Sequence, residues 1–500
     1  MSGIRVTYSG LISFAVGVTS VVTGLIFTII VTRRLTPEEF GTWNLIGGLI
    51  TYVLIVEPAI SYWATREIAR GVESGKTVAL SSATFSAIGL LVYITIAYFV
   101  APHSGAKTEI LFFASILIPA MFLNRTLTAI NLGFKPHAAS YGTLGFEATK
   151  IPAGLVFVYF FNLGITGAIL STFAAYVCSN ILLFYYARER TRVKFAISHL
   201  FRWLKLSWLP LISSSSSLIF SLDVLIFSVI TGSVVGLAYY SVTVSVTQVI
   251  AHSGLISRAL YPKLLASDER SHLKDNLTRV LYFAIPLTAM ALTFAKPALF
   301  VLKPIYIVAA PVVVFMALRA FFYTLSSTFS NSLQGIEKVD ITEGSKFLDY
   351  VKSKLFLLPA LQLGQYGLYA GVLALVVFTL KPFTSVLDLV LYWSIVSLGT
   401  QLPFSIYHIL LMKKGFVSLV DRKSVSKYLI VGIGVFGACY LLTDKLLNYN
   451  NNIYRFLPDL LLLVGIALGG YILLTYIGDS RTRILIKSII NEMKNKGTKD

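Results

Sequence analysis

Among the ionisable side chains that stand inside long apolar runs of this 500-residue chain, Glu147 and Lys150, Asp223, and Arg319 are the first candidates. A charge at membrane depth is costly, so each of them is a functional candidate by default. Arg319 cannot neutralise itself, and its planar fork suits the oxygens of a phosphate; the alternative is a buried pair with a carboxylate that the sequence does not reveal. Glu147 and Lys150 are three residues apart on one helix face, which makes them either a local ion pair or a relay facing a cavity. Asp223 follows the serine run Ser213 to Ser217, with Ser216 on its own face. It is either a protonatable or ion-coordinating group or a hydrogen-bonder between helices.

Neutral polar stripes accompany these charges. Ser241, Ser245, Gln248 and His252 recur at spacings of four, three and four, and so do Arg319, Tyr323, Ser326 and Ser330. Polar stripes in lipid-embedded helices must face protein or water, so the two predict a hydrated central cavity, with close helix packing as the other reading. The first apolar run carries Ser13, Gly17, Ser20, Gly24 and Thr28 on one face, a pattern of close packing or of a moving gate. Arg33 and Arg34 at its end either anchor the helix at the interface or receive an anionic headgroup.

The elements that position these residues follow from composition. Mean hydropathy is +0.77, with 56% hydrophobic and 13% charged residues, which excludes an ordinary soluble globular protein. The fold class is therefore an all-α polytopic membrane protein of about 14 transmembrane helices. Apolar runs place spans 1 to 14 near 8–31, 41–62, 77–100, 109–131, 138–161, 164–187, 207–230, 234–256, 278–300, 305–330, 353–380, 384–412, 428–447 and 456–477. The turn after span 1 is specified: Thr36 caps the next helix, Pro37 suits its first position, and Glu39 completes a capping box. A weaker copy follows span 7, where Asp223 to Gly232 ends one run and Ser233 to Tyr240 opens the next. Two related halves result, an N-terminal lobe over 1–187 and a C-terminal lobe over 207–412, arranged as two six-helix pseudo-repeats around a central cavity. A basic linker over 188–206 joins them, two further spans fill 413–477, and a basic tail closes the chain at 478–500.

The net charge of +19 lies mainly in loops on the side of the N-terminus, which the positive-inside rule reads as both termini in the cytoplasm. That distribution argues for membrane lipids and against nucleic acid. The tail, with Arg481, Arg483, Lys487, Lys494, Lys496 and Lys499 among Ile484, Leu485, Ile489 and Ile490, suits a helix on an anionic leaflet. Cys178 and Cys439, both in apolar runs, make no disulfide framework or metal cluster. The stretch Gly71-Val-Glu-Ser-Gly75-Lys76-Thr77 has one residue too few between its glycines for a phosphate-binding loop and follows a membrane helix instead of a strand. Glu38 and Glu39 are accounted for by helix capping, and no outer loop is long enough to build the catalytic face of a membrane glycosyltransferase. No cofactor is expected.

Several stretches resemble the polysaccharide-transport flippases of the multidrug/oligosaccharidyl-lipid/polysaccharide exporter superfamily. They are Arg34-Leu-Thr-Pro-Glu-Glu-Phe-Gly41, Ala64-Thr-Arg-Glu-Ile-Ala-Arg70 and Gly164-Ile-Thr-Gly167-Ala168 in the first half. In the second half they are Asp223 with Gly232, Gly236 and Tyr239-Tyr240, then Ala259-Leu-Tyr-Pro262 and Leu333-Gln-Gly-Ile-Glu-Lys338. Glu57-Pro58-Ala59 departs from the acidic-x-Gly turn often found in such proteins. The resemblance implies a two-lobed transporter, not an enzyme, that flips a polyprenyl-(di)phosphate-linked oligosaccharide across a prokaryotic cytoplasmic membrane by alternating access. On that basis Arg319, Lys150, Arg33 and Arg34 are the candidates for the substrate phosphate. Asp223, Glu147 and Glu57 are the candidates for coupling to a proton or sodium gradient, with the membrane potential as the alternative drive. Ser241, Ser245, Gln248, His252, Tyr323 and Ser326 are expected to line the cavity. The alternative functions are a cation-coupled multidrug exporter of the same superfamily and a membrane-embedded glycan ligase or polymerase.

Overall fold

The computed structural model describes residues 6–259, 271–335, 347–415 and 420–487. Among these residues every regular element is helical, and a helix stands at each predicted span. Ten helices are long and apolar enough to cross a membrane, or eleven when Lys274–Thr293 and Ala295–Leu302, bent by 69°, count as one span. Spans 1, 5 and 8 are helical but lie outside that set. Span 5 holds Glu147 and Lys150 and passes into π winding over Leu155–Phe160, just after Pro152 has removed a backbone donor. Large apolar side chains such as Leu91, Phe99, Phe378, Ile433 and Leu462 are exposed on many faces, as expected where lipid is the solvent.

One predicted boundary needs adjustment, and one pair of spans stands as predicted. The run 41–62 is not one helix: Pro37–Val53 continues as a short 3-10 turn to Val56, and a separate helix, Pro58–Ala69, begins where proline cannot donate a hydrogen bond. Between 353 and 412 there are two spans, Lys354–Leu380 and Val386–Gly415, and Gly364 to Gly371 is helical throughout.

The chain forms two compact units. Unit 1 comprises residues 1–241 and 366–389, and unit 2 comprises 242–365 and 390–500. In unit 1 the turn after span 1 is built as the sequence specifies. The Glu39 amide donates to the Thr36 hydroxyl at 3.2 Å, and the Thr36 amide donates to Glu39 at 2.9 Å. Glu39 also accepts the Ile165 amide at 3.3 Å, tying this turn to the start of span 6, Gly164–Thr191. Gly41 and the turn after span 7 touch directly. A methyl group at Gly41 would collide with the Val234 carbonyl, so the two turns that look like copies in sequence abut each other in space.

Amide side chains join span 4, Thr108–Phe134, to span 6: Asn124 donates to Ser179 and Asn180, Asn180 to the Ala120 carbonyl, and Asn131 to the Leu183 carbonyl. The basic segment after span 6 folds into a short helix, Ile197–Lys205. Its Trp203 is fully buried against Ile60, Ala64 and Ile68, and its Arg202 bonds to Glu67.

Unit 2 is closed by aromatic and polar contacts among spans 9, 13 and 14. Tyr282 meets Tyr428 edge-on, with ring centroids 5.1 Å apart, and lies 5.7 Å from Tyr471. Asp479, just past the end of Ile453–Gly478, accepts hydrogen bonds from Ser424 and Tyr428 on Arg422–Leu446. Arg481 reaches both Asp275 and Asp421, which fastens the start of the tail to spans 9 and 13. The remainder of the predicted membrane-surface tail, including Ile489, Ile490, Lys494, Lys496 and Lys499, lies outside the described residues, as do Leu260 to Pro262 and Ile336 to Lys338 of the resemblance.

Candidate functional site

The polar centre of unit 1 is assembled by spans 2, 4 and 6. Trp43, Asn44, Ile50 and Thr51 of span 2, Leu117, Met121 and Arg125 of span 4, and Thr172 and Tyr176 of span 6 line a cavity of about 430 Å³. Arg125 supplies its positive charge. The guanidinium lies 3.9 Å from the carboxylate of Glu57, at the break between span 2 and the helix Pro58–Ala69. The residue is absent from the sequence-derived candidates. The signal was present, because Arg125 falls within the apolar run 109–131, where a cation is as costly as Arg319 is in its own run.

Glu147 and Lys150 form the second charged group of unit 1. The Lys150 ammonium is 2.6 Å from Glu147, and Thr23 of span 1 donates to the same carboxylate at 2.6 Å. Lys150 also lies over the rings of Phe27 and Phe146, at 5.6 and 5.1 Å. This is the local ion pair of the two alternatives open at sequence level, closed on three sides and nearly buried. Tyr176 connects the two groups, within electrostatic range of both Arg125 and Glu147 and 4.7 Å from the Phe146 ring.

Asp223 is buried in unit 1 and held by neutral partners. Tyr369 of span 11 donates to one carboxylate oxygen at 2.8 Å, and the Val224 amide donates to the other at 2.8 Å. Phe220, one turn earlier, stacks on Tyr369 with centroids 5.6 Å apart, so the aspartate sits in an aromatic and hydrogen-bonded joint between spans 7 and 11. Arg33 and Arg34 end span 1, and Arg34 stacks on Tyr159 at 3.8 Å, which suits interfacial anchoring. The two glycines of the small-residue stripe of span 1 are not at a close helix contact: a methyl at Gly17 or Gly24 would meet nothing within 4 Å, whereas the Ser20 hydroxyl between them is buried. Span 1 instead packs against span 5 through Thr23 and through Phe27 on Gly154. The side chains of Ser13 and Ser213 lie outside the described residues.

Unit 2 contains the predicted stripe of span 10, which is α-helical from Ala310 to Gly335 and keeps Arg319, Tyr323 and Ser326 on one face. Arg319 lies over the Tyr323 ring at 5.7 Å, and Ser326 hydrogen-bonds Nδ1 of His408 on span 12. The span 8 stripe does not hold as one face. The chain is α-helical to Thr247 and turns to 3-10 winding from Gln248 to Ala259, where three residues make a turn in place of 3.6. His252 is thereby swung roughly 100° away from the line of Ser245. Sequence reasoning also missed a neutral network: Gln365 donates to Gln401 at 2.9 Å, Gln401 to Ser405 at 3.0 Å, and Ser405 to the Phe322 carbonyl at 3.1 Å. Among the described residues no cluster of His, Cys, Asp and Glu is arranged to hold a metal.

No family model matches the sequence, and no curated protein is similar to it by sequence. Solved structures share its fold, among them the following two. A lipid II flippase, MurJ, in an inward closed conformation superposes with a TM-score of 0.65 at 15% identity, covering 95% of this chain and 100% of the flippase. An inward-facing multidrug resistance MATE transporter of the MOP superfamily superposes with a TM-score of 0.55 at 15% identity, covering 81% of this chain and 98% of the transporter.

Proposed function

We propose that this multi-pass membrane protein, which has the fold of MOP-superfamily transporters, flips a polyprenyl-(di)phosphate-linked oligosaccharide by alternating access. The observation that carries this reading is the cavity of unit 1. One arginine faces it among aromatic and hydroxyl- or amide-bearing side chains, with no long loop or metal cluster needed. A guanidinium offers a phosphate two parallel donors. Trp43 and Tyr176 present flat faces suited to the apolar faces of sugar rings, while Asn44, Thr51 and Thr172 match their hydroxyls. We place Arg125 first for the phosphate, with Arg33 and Arg34 at the approach; Arg319 is a separate candidate within unit 2. Lys150 is committed to Glu147. Drive by a proton gradient, a sodium gradient or the membrane potential, and a prokaryotic cytoplasmic membrane with both termini inside, belong to the same proposal.

A drug exporter for cations would be served by a carboxylate not already occupied by a resident cation. Beside the cavity of unit 1 Glu57 faces Arg125, and Glu147 faces Lys150, which favours an anionic substrate there; Asp223, bonded by Tyr369 and the Val224 amide, is the carboxylate on which the exporter reading would turn. The test is translocation of a lipid-diphosphate oligosaccharide in proteoliposomes, with efflux of a cationic dye measured in parallel. Protein-dependent movement of the glycolipid, lost by about 10- to 100-fold in Arg125→Ala as expected for one charge-assisted contact, is the expected result. Dye efflux without glycolipid movement would move the chain to the exporter reading.

A further inference from the structure

We infer that Glu57 is the resident competitor of the substrate: it occupies Arg125 in the empty cavity, yields it to an arriving phosphate, and keeps binding weak enough for release. This inference rests on Arg125 being the phosphate contact of the proposed function.

The pairs Arg125–Glu57 and Lys150–Glu147 are built differently, and the difference assigns the role. Lys150 and Glu147 touch at 2.6 Å with side chains 11% and 9% exposed, and Thr23 adds a third partner. Such a pair has no face left for a ligand. Arg125 and Glu57 stand at 3.9 Å, the outer limit of an ion pair, and the arginine side chain is 45% exposed while the glutamate is 6% exposed. The cation thus looks into the cavity, and the carboxylate is fixed behind it in the wall.

Chain geometry holds the carboxylate there. Glu57 lies between the 3-10 turn Leu54–Val56 and the helix starting at Pro58, and its own carbonyl accepts the amides of Ile60 and Ser61. Its backbone is thereby fixed, and burial of its side chain keeps the carboxylate in the wall. A carboxylate with one charge at long range is displaced by a phosphate group with two charges and a bidentate approach. A second carboxylate-bearing ligand would gain nothing over Glu57, so the pair also selects phosphate over singly charged anions. Once the phosphate is seated, the Glu57 charge remains close to it and repels it, which lowers affinity and speeds departure. After release Glu57 covers Arg125 again, so the empty cavity carries no uncompensated cation.

The test uses the purified full chain and two probes, inorganic pyrophosphate and a polyprenyl diphosphate, with affinity read by titration and flipping read in proteoliposomes. Glu57→Gln should bind both probes about five- to tenfold more tightly than the native chain and flip the lipid several-fold more slowly. Glu57→Asp, which withdraws the carboxylate by one methylene, should fall between the two and serves if the glutamine variant does not fold. Arg125→Gln should abolish binding of both probes. If Arg125→Gln abolishes binding while both Glu57 variants bind as the native chain does or more weakly, the competitor role is overturned and the phosphate site stands. If Arg125→Gln binds as well as the native chain, the phosphate site itself is wrong, and the inference falls with it.

Discussion

Unit 1 buries full charges, whereas the polar interior of unit 2 between spans 10, 11 and 12 is joined by neutral groups. In unit 1, Glu57, Glu147 and Lys150 are all below 10% exposed, and Arg125 faces the cavity beside them. In unit 2, Gln365, Gln401, Ser405, Ser326 and His408 make the corresponding connections. Ion pairs of unit 2, those of Asp275 and Asp421 with Arg481 and of Asp479 with Lys427, stand toward the ends of helices. Neutral amides can fix helix register in lipid at little electrostatic cost, but buried charges rarely improve on apolar packing and are retained where they do something else. The contrast assigns the handling of a charged substrate to unit 1 and the specification of packing to the amides of unit 2.

The largest expected effect sets the two regions directly against each other. Arg125→Ala should lower glycolipid flipping per folded molecule by one to two orders of magnitude, and some stability is lost as well because the buried Glu57 carboxylate then lacks its cation. Gln401→Leu should instead leave flipping per folded molecule near native. Equal losses of flipping in both variants would break the assignment of substrate handling to unit 1.

A second test separates the two charged groups within unit 1. Lys150→Met leaves the buried Glu147 without its cation and should cost about 3–5 kcal/mol, read as a lowered melting temperature in detergent. Adding Glu147→Gln should recover most of that loss, since the glutamine keeps an acceptor for Thr23 and removes the stranded charge. No recovery would mean that the pair is more than a local structural contact. In unit 2, Gln401→Leu strands the amide of Gln365 and the hydroxyl of Ser405 and should cost about 1–3 kcal/mol in the same measurement.

How much of this was legible in the sequence depends on whether a feature is local. The capping box at Thr36 and Glu39 was readable because its partners lie three residues apart, and the helices were readable because each apolar run is continuous. The Glu147–Lys150 pair was readable as an alternative for the same reason. Thr23 on Glu147, Tyr369 on Asp223 and Arg125 beside Glu57 join residues far apart in the chain, and no periodicity predicts them. The span 8 stripe failed for a different reason. A spacing of four, three and four means one face only while the helix stays α, and nothing in Gln248 to His252 announces the change of winding. The glycines of span 1 show the opposite error, since small residues permit close approach without requiring it.

The smallest expected effect concerns Asp479, the carboxylate of unit 2 that lies beyond the membrane-spanning helices. Burial by itself would raise its acid range, but hydrogen bonds from Tyr428, Ser424 and Thr482 together outweigh that and hold it below the ordinary carboxylate value. A carboxyl whose native value is depressed binds its proton more weakly folded than unfolded. Its contribution to stability is therefore complete above the unfolded value, about pH 4, and is lost as pH falls through the lower native value. Asp479→Asn removes one charge-assisted acceptor and should cost about 1–2 kcal/mol at neutral pH. Once pH falls below that lower native value the native chain loses the same contribution, so its melting temperature should converge on that of the variant. Parallel acid profiles for the native chain and Asp479→Asn would show that the Asp479 contacts contribute through shape and not through charge, which would bring this helix end into line with the neutral interior of its unit.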